Sequence, residues 1–222
     1  MPWRALSLAA FRLDDGGGDD AALHPVERRR AAALPAGMPR ERFLSGRRGA
    51  RLLAAGLLGV DAADLELDYA CVHCGACGAV DHGRPGYRRP GDRDGVRLSL
   101  SRTGPWCLLA GTADPSVAAV GVDVDDRARM TFPGFDDVAL TPAERSVLDG
   151  IRTEGEASRM RARLWSRKEA FLKATGSGLL RDPADVDVLS DSLEGIELED
   201  LVPLPLGLPG ELTAAIAVRR AG

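Results

Sequence analysis

The run VAAVGVDVDD, at residues 117–126, constrains the fold more than any other segment of the chain. Apolar residues alternate in it with glycine and aspartate, and successive side chains of a β-strand point to opposite faces. The run therefore predicts a strand with valines on one face and with Gly121, Asp123 and Asp125 on the other. The two aspartates would lie about 7 Å from each other along the strand.

Two helices are predicted after this strand. In LTPAERSVLDGI, Thr141 is a predicted N-cap, Pro142 fits the first helical position and Glu144 completes a capping box. Apolar residues at helical spacing then predict a longer helix over residues 157–175, which Gly176 would end. A strand followed by two helices thus opens the second half of the chain.

The first half of the chain shows a similar order of elements. A strand is predicted in MPWRALSLAAF, a long helix in ERFLSGRRGARLLAAGLLG ending at Gly59, and a strand in VRLSLS that breaks at Gly104 and Pro105. Two further strands are predicted in DVDVLS and LTAAIAVRR. The sequence predicts an α+β fold of two similar halves, residues 1–117 and 118–222, although no residue-level repeat is visible between them.

Composition and charge exclude several classes of protein. The 222 residues carry a formal net charge of -4, whereas a nucleic-acid-binding domain is expected to be basic. No apolar run is long enough to cross a bilayer, and the apolar part of the N-terminus is too short and interrupted for a signal peptide. We therefore expect a cytoplasmic protein that binds neither nucleic acid nor membrane.

Three of the four cysteines lie close together in CVHCGACGAVDH. Cys71, Cys74, Cys77 and His82 have roughly the spacing of a structural zinc site. Overlapping C-x-x-C pairs are a weaker signal than separate ones, so thiols without a metal are the alternative. Disulfide bonds are not expected, because a disulfide framework would spread the cysteines and a reducing compartment disfavours it.

Only two of the 29 basic residues are lysines. Lys168 and Lys173 both lie in WSRKEAFLKATGSGL, on either side of Glu169. A surface pair of Glu169 with Lys173, and a Lys168 whose ammonium reaches solvent from an apolar face, would explain them without a ligand. A compact ammonium is also suited to phosphate oxygens, so the two lysines equally predict a phosphate-binding site.

Asp123 and Asp125 allow two interpretations. They are either solvent-facing acids of an edge strand or part of a metal site, since converging carboxylates repel each other unless a cation lies between them. Oxygen ligands suit Mg²⁺, and Glu169 on the nearby helix would supply a third carboxylate. The arginines that would complete a pocket for a phosphate-rich ligand are Arg42, Arg47, Arg48, Arg51, Arg84 and Arg102.

Together these motifs resemble those of the larger, pseudo-dimeric 4′-phosphopantetheinyl transferases, which activate carrier proteins of peptide and polyketide synthases. The family's G-(I/V)-D-(I/V)-E strand is similar to GVDVD, and its W-(S/T)-x-K-E-A-x-x-K-x-x-G-x-G-L motif is matched at every fixed position by WSRKEAFLKATGSGL. Its G-K-P and S-H-(S/T)-G motifs correspond to GRP at residues 83–85 and SRTG at residues 101–104. The resemblance extends over roughly residues 23–180.

The resemblance implies a pseudo-dimeric fold and a role for each group of residues. Asp123, Asp125 and Glu169 would ligate Mg²⁺, with Mn²⁺ as an alternative. Lys173 would contact the phosphate and stabilise the departing adenosine bisphosphate, and Lys168 would hold either the phosphate or the pantetheine-proximal side. Glu169, Lys173 and Lys168 are thus the implied catalytic residues. The other implied contacts with coenzyme A are those of Arg42, Arg47, Arg51, Arg84, Pro85, Ser101, Arg102 and Thr103.

Two positions depart from the family pattern. Asp125 replaces the usual glutamate and is one methylene shorter, so it would reach the metal through a water molecule. Arg102 replaces the histidine expected at the 3′-phosphate of coenzyme A. A cation is retained there, and its charge is permanent.

The implied reaction is transfer of the phosphopantetheine arm from coenzyme A to a serine hydroxyl of an apo acyl or peptidyl carrier protein, with release of adenosine 3′,5′-bisphosphate. Glu169, or a metal-bound water near it, would be the base. Carriers of secondary metabolism, such as polyketide, nonribosomal-peptide and antibiotic biosynthesis, are the expected partners, and the pseudo-dimer predicts a monomer. A Mg²⁺-dependent pyrophosphohydrolase and an inactive carrier-binding module are the alternatives.

Overall fold

The computed structural model describes residues 6–13, 20–68 and 86–222. They form two compact units, one within Met1–Leu100 and Pro105–Pro115 and the other from Ser101–Gly104 and Ser116–Gly222. The predicted division after residue 117 falls at the first residue of a strand of the second unit. Both units contain helices and β-strands, which confirms the predicted α+β class.

The first unit contains most of a three-stranded sheet. The strands are β1 (Ser7–Arg12), β4 (Arg97–Thr103) and β5 (Trp106–Thr112), in the order β1-β5-β4, and β1 is antiparallel to β5. The last three residues of β4 are counted with the second unit. Between β1 and β4 in sequence lie helices α1 (Pro25–Ala32) and α2 (Met38–Leu58) and the short antiparallel pair β2 (Glu66–Leu67) and β3 (Tyr87–Arg88). The predicted break at Gly104 and Pro105 is the turn between β4 and β5.

The second unit contains a four-stranded antiparallel sheet. Its strands are β6 (Val117–Asp126), β7 (Ser192–Leu193), β8 (Ile196–Leu201) and β9 (Leu212–Arg220), in the order β6-β9-β8-β7. Helices α3 (Phe135–Ala139), α4 (Pro142–Asp149) and α5 (Glu154–Thr175) follow β6. As predicted, Thr141 and Glu144 form the capping box of α4, and Gly176 ends α5 in the left-handed conformation.

One predicted strand is wrong. The alternating run DVDVLS contributes to a 3-10 turn over Pro183–Asp185 and to irregular chain after it, and the strands of this region are β7 and β8. Its backbone is bound by side chains of the helices rather than by a neighbouring strand. Glu144 Oε1 accepts a hydrogen bond from the N–H of Val188 at 3.0 Å, and Arg167 Nε donates to the carbonyl of Val188 at 2.9 Å.

The two units share the order and the pairing of their elements. In each, the first strand pairs with the last, and a long helix that ends at a left-handed glycine follows a short helix, α1 in the first unit and α4 in the second; the second unit has α3 in addition. Adding 117 to the residue numbers of α1 gives those of α4, and adding 117 to Gly59 gives Gly176. The two units therefore repeat one order of elements; the sequence predicted two similar halves but showed no residue-level repeat between them.

Helix α5 lies against β6 at a distance that only glycine permits. A Cβ atom at Gly121 would lie 1.9 Å from the carbonyl oxygen of Ala170 and 2.6 Å from the backbone nitrogen of Ala174. Both are backbone atoms of α5, so no side-chain movement relieves the contact. Gly121 thus sets the spacing between the strand that carries the predicted aspartates and the helix that carries Glu169.

Gly121→Ala is expected to lower the free energy of unfolding by about 1–3 kcal/mol or more, because α5 must move away from β6. Urea denaturation followed by circular dichroism measures the change. Gly155→Ala is the control on the same helix: its nearest contact would be Arg159 Nη2 at 3.7 Å, and alanine favours a helix. Equal stability of the two variants would contradict the close contact.

Candidate functional site

The predicted aspartates lie on β6 where it pairs with β9. Asp123 is opposite Ala215 and Asp125 is opposite Thr213. Although β6 is at the edge of its sheet, the two aspartates are only 4% and 8% exposed. They are therefore not the solvent-facing acids of the simpler interpretation, and their burial requires partners for their charges.

Asp123 has one satisfied and one unsatisfied carboxylate oxygen. Its Oδ1 accepts hydrogen bonds from Ser101 Oγ at 2.7 Å and from Lys173 Nζ at 2.6 Å, and Nζ also donates to the carbonyl of Val122 at 3.2 Å. Its Oδ2 is buried without a hydrogen-bond partner among the residues that the structure describes. An unsatisfied buried oxygen is costly, and a bound cation or water would remove that cost.

Asp125 is held by three donors. Its Oδ1 accepts hydrogen bonds from Thr103 Oγ1 at 2.9 Å, from the N–H of Asp126 at 2.8 Å and from Arg129 Nη1 at 3.2 Å. Arg129 was not among the predicted site residues. The only sequence signal for it is its position four residues after Asp125, in the 3-10 turn Arg127–Met130 that follows β6.

The SRTG motif divides between two faces of β4. Ser101 and Thr103 are buried and donate to the two aspartates, while Arg102 between them is exposed. Because side chains of a strand alternate, Arg102 projects from the face opposite to its two neighbours. Ser101 and Thr103 therefore orient the carboxylates, and Arg102 is left on the other face of the strand.

Glu169 completes a cluster of charges on α5. Its Oε2 lies 4.0 Å from Lys173 Nζ, and its side chain is 22% exposed. Burial raises the pKa of Glu169 above its ordinary value; the positive charge of Lys173 opposes this, and the negative charges of Asp123 and Asp125 raise the pKa further. The structure thus brings Asp123, Asp125, Glu169 and Lys173 into one electrostatic group.

The residues of this cluster are chemically suited to Mg²⁺. Across residues 6–13, 20–68 and 86–222, no three acidic, histidine or cysteine side chains are grouped closely enough to hold a metal ion. In the structure the ammonium of Lys173 neutralises Asp123 instead. The donors are nevertheless all oxygen atoms, and Asp123 Oδ2 has no other partner in the described chain, so the set fits a hard divalent cation.

Lys168 has a different environment from the one predicted. Its side chain is 0% exposed, and its Nζ lies 2.7 Å from Glu144 Oε2 and 2.8 Å from the carbonyl oxygen of Pro183, with a further hydrogen bond to the carbonyl of Val186. Burial lowers the pKa of Lys168, and the hydrogen bond to Glu144 opposes that shift. The three acceptors use all three N–H groups of the ammonium, in contrast with the predicted contact with phosphate.

Arg51 is also buried, at 2% exposure. Its Nη2 donates to the carbonyls of Ala62 at 2.6 Å and Leu65 at 3.0 Å, and its Nη1 lies 3.4 Å from Glu27 Oε2. The guanidinium is therefore bound inside the first unit, which differs from the predicted contact with coenzyme A.

The other predicted arginines of α2 are partly exposed. The guanidinium of Arg47 lies 5.1 Å from the centre of the Phe43 ring, and Arg48 forms an ion pair with Asp20 at 2.6 Å. Arg42 is half-buried on the same helix. The predicted contacts and zinc ligands that lie outside the described residues are Arg84, Pro85, Cys71, Cys74, Cys77 and His82.

Comparisons with known proteins identify the region that contains the cluster. The family model described as the 4′-phosphopantetheinyl transferase superfamily matches residues 119–210. A phosphopantetheinyl transferase of Thraustochytrium sp. (strain ATCC 26185 / S-3) is 31% identical over 193 residues, which are 82% of this chain and 62% of that protein. The residues that the family model matches include the aspartates of β6 and the charged residues of α5.

A solved structure is also similar, with a lower sequence identity than the relative from Thraustochytrium. It is a holo-(acyl-carrier-protein) synthase from Bacillus anthracis str. Ames in complex with CoA (3′,5′-ADP), with 22% sequence identity and a TM-score of 0.40 over 48% of this chain and 98% of that chain. Over residues 119–210, which contain the cluster, the chain is similar to the 4′-phosphopantetheinyl transferase superfamily. It spans 62% of the length of the relative from Thraustochytrium, and no helix that the structure describes is long and apolar enough to cross a bilayer.

Glu169→Gln is expected to stabilise the protein at neutral pH. The raised pKa of Glu169 means that the folded protein holds this proton more tightly than the unfolded chain, whose value is near 4.5. Below that pH the carboxyl is protonated in both states. As the pH rises through 4.5 and then through the folded value, ionisation of the buried group lowers the free energy of unfolding, and glutamine avoids this loss.

Urea denaturation of both proteins at about pH 3.5 and pH 7, without divalent cations, tests this effect. The variant should be the more stable one at pH 7, and the difference should disappear at the acidic pH. Added Mg²⁺ should then raise the melting temperature of the wild type and leave that of Glu169→Gln unchanged. An equal difference in stability at both pH values would contradict the electrostatic cluster.

Proposed function

We propose that this protein transfers the 4′-phosphopantetheine arm of coenzyme A to a serine of an apo acyl or peptidyl carrier protein. The observation that carries the proposal is the cluster of Asp123, Glu169 and Lys173, in which one buried oxygen of Asp123 has no hydrogen-bond partner within residues 6–13, 20–68 and 86–222. This cluster lies within the residues matched by the family model. The name of the similar protein from Thraustochytrium, phosphopantetheinyl transferase, supports the same activity.

The serine oxygen would form a bond to the β-phosphorus of coenzyme A. The bond from that phosphorus to the bridging oxygen of the pyrophosphate would break, and adenosine 3′,5′-bisphosphate would leave with this oxygen. Mg²⁺ held by Asp123, Asp125 and Glu169, with Mn²⁺ as a substitute, would neutralise charge on the pyrophosphate. Lys173 has a side chain that is 27% exposed, so its ammonium can turn from Asp123 to the phosphate oxygens and stabilise the leaving group. By resemblance, Glu169 would accept the serine proton.

Other side chains of the site would orient the carboxylates. The hydroxyls of Ser101 and Thr103 fix the two aspartates, and positioning of this kind contributes strongly to the rate of phosphoryl-type transfer. By resemblance, the carriers of polyketide and nonribosomal-peptide synthesis are the proposed partners. The protein would act as a monomer in which each unit corresponds to one subunit of a dimer.

Mass spectrometry of an apo carrier protein incubated with the enzyme, coenzyme A and Mg²⁺ tests the reaction. We expect the carrier to gain the phosphopantetheine arm. Release of adenosine 3′,5′-bisphosphate without a carrier would indicate a pyrophosphohydrolase instead. Neither product would form if the protein were an inactive carrier-binding module.

Asp123→Asn should reduce transfer by about a hundredfold or more, because it removes the charge that binds Lys173 and the proposed metal. Asp126→Asn is the matched control, since Asp126 is the last residue of the same strand but caps the following turn by accepting a hydrogen bond from the N–H of Ala128. Initial rates of transfer at saturating Mg²⁺ measure both variants. A rate near that of the wild type for Asp123→Asn would contradict the assignment.

Arg102→Ala should raise KM for coenzyme A and leave kcat unchanged. If Arg102 binds the 3′-phosphate, it acts far from the reacting phosphorus and equally in the ground and transition states. Loss of its charge-assisted hydrogen bonds should cost about 1.5–3 kcal/mol, or about ten- to a hundredfold in KM. The ratio of KM between 3′-dephospho-coenzyme A and coenzyme A should fall in the variant; an unchanged ratio would show that Arg102 does not bind this phosphate.

A further inference from the structure

A fully buried ion pair links three segments of the second unit. Glu144 is the third residue of α4, and its Oε2 accepts a hydrogen bond from the N–H of Thr141 at 2.9 Å. The same carboxylate accepts from the N–H of Val188 at 3.0 Å through Oε1 and pairs with Lys168 on α5 at 2.7 Å. Both Glu144 and Lys168 are 0% exposed.

The first unit contains an equivalent pair. Glu27 is the third residue of α1 and is also 0% exposed; its Oε2 accepts from the N–H of His24 at 3.0 Å and lies 3.4 Å from Arg51 Nη1. Glu27 and Arg51 are 24 residues apart, and the numbers 144 and 168 give the same separation. Glu27 Oε1 additionally accepts from the hydroxyl of Tyr87 at 2.6 Å.

The remaining partners of the two cations are equivalent as well. Arg51 donates to the carbonyls of Ala62 and Leu65, and Lys168 donates to those of Pro183 and Val186. In each unit the first carbonyl belongs to the residue that opens a 3-10 turn and the second to the residue that follows the turn. The sequences DAADL and DPADV form these turns, each with its first aspartate as N-cap.

The positions next to the two cations differ. Adding 117 to Arg51, Leu52 and Gly56 gives Lys168, Glu169 and Lys173. Leu52 and Gly56 carry no charge, so the charged residues that reach the aspartates of β6 belong to the second unit alone. The first unit has the buried ion pair but lacks these charged residues. The pair therefore has a function within each unit rather than toward a ligand of the cluster.

We propose that Lys168 is a positioning residue and does not contact coenzyme A. Its bonds to Glu144 and to the two carbonyls fix the rotation of α5 about its axis. Glu169 is the next residue of that helix and Lys173 lies about one turn further on, so the fixed rotation turns both toward Asp123. The effect on transfer rests on the proposed function, but the pairing itself can be measured without it.

The test uses Lys168→Met, Glu144→Gln and the double variant. Methionine keeps an unbranched side chain without the charge, and glutamine keeps the shape of glutamate. Each single change leaves a buried partner with incomplete pairing, so each should lower the urea midpoint. The double variant should lose less stability than the sum of the two single losses. Additive losses would overturn the pairing.

Kinetics then separate positioning from binding. If the ion pair fixes the rotation of α5 about its axis, Lys168→Met and Glu144→Gln should each release that rotation. Each variant should then lower kcat about 10- to 100-fold and change KM for coenzyme A less than about threefold. A contact of Lys168 with phosphate predicts instead a large rise in KM for Lys168→Met and none for Glu144→Gln. That result, or an unchanged kcat in both folded variants, would overturn the proposal.

Lys173→Met is the matched control on the same helix. Lys173 contacts Asp123 rather than Glu144, so its effect on the urea midpoint should add to that of Glu144→Gln without coupling. If the wild type transfers nothing to any carrier, the proposed function fails. The denaturation measurements would still decide whether Lys168 and Glu144 act as a pair.

Discussion

The backbone contact between β6 and α5 is the constraint on which the rest of the site depends. With Gly121 against the carbonyl of Ala170, the helix lies too close to the strand for any side chain between them. That spacing allows the ammonium of Lys173 to reach Asp123 Oδ1 at 2.6 Å. A residue without a side chain thus determines the electrostatics of the cluster.

The same spacing concentrates negative charge in a buried place. Two aspartates with low exposure and a glutamate with a raised pKa share one cluster, and Lys173 pairs directly with Asp123. Such an arrangement destabilises the fold unless cations bind to it, and perturbed acids of this kind are concentrated at functional sites. The proposed function assigns to this site a divalent cation and the phosphates of coenzyme A, which would supply charge and partners that the cluster lacks among the described residues.

Elements specified by local signals were predicted well from the sequence. The capping box at Thr141, the stop at Gly176 and the strand LTAAIAVRR are found where the pattern placed them. DVDVLS failed because its backbone partners are side chains more than 20 residues away, such as Glu144 and Arg167, which no local pattern reveals.

The role of Lys168 was hidden for the same reason, since its acceptors lie in α4 and in the turn at Pro183. The two similar halves were predicted, but their residue-level correspondence was not visible, because HPVE and TPAE share only two letters and because the chain from glycine to aspartate is longer in GSGLLRD than in GVD. The decisive measurement is a crystal structure with coenzyme A and Mn²⁺, in which anomalous scattering locates the metal. We expect the metal beside Asp123 Oδ2 and Glu169, with Lys173 turned to the phosphates and Lys168 still paired with Glu144. A metal bound elsewhere, or Lys168 bound to a phosphate, would show that the assignment is wrong.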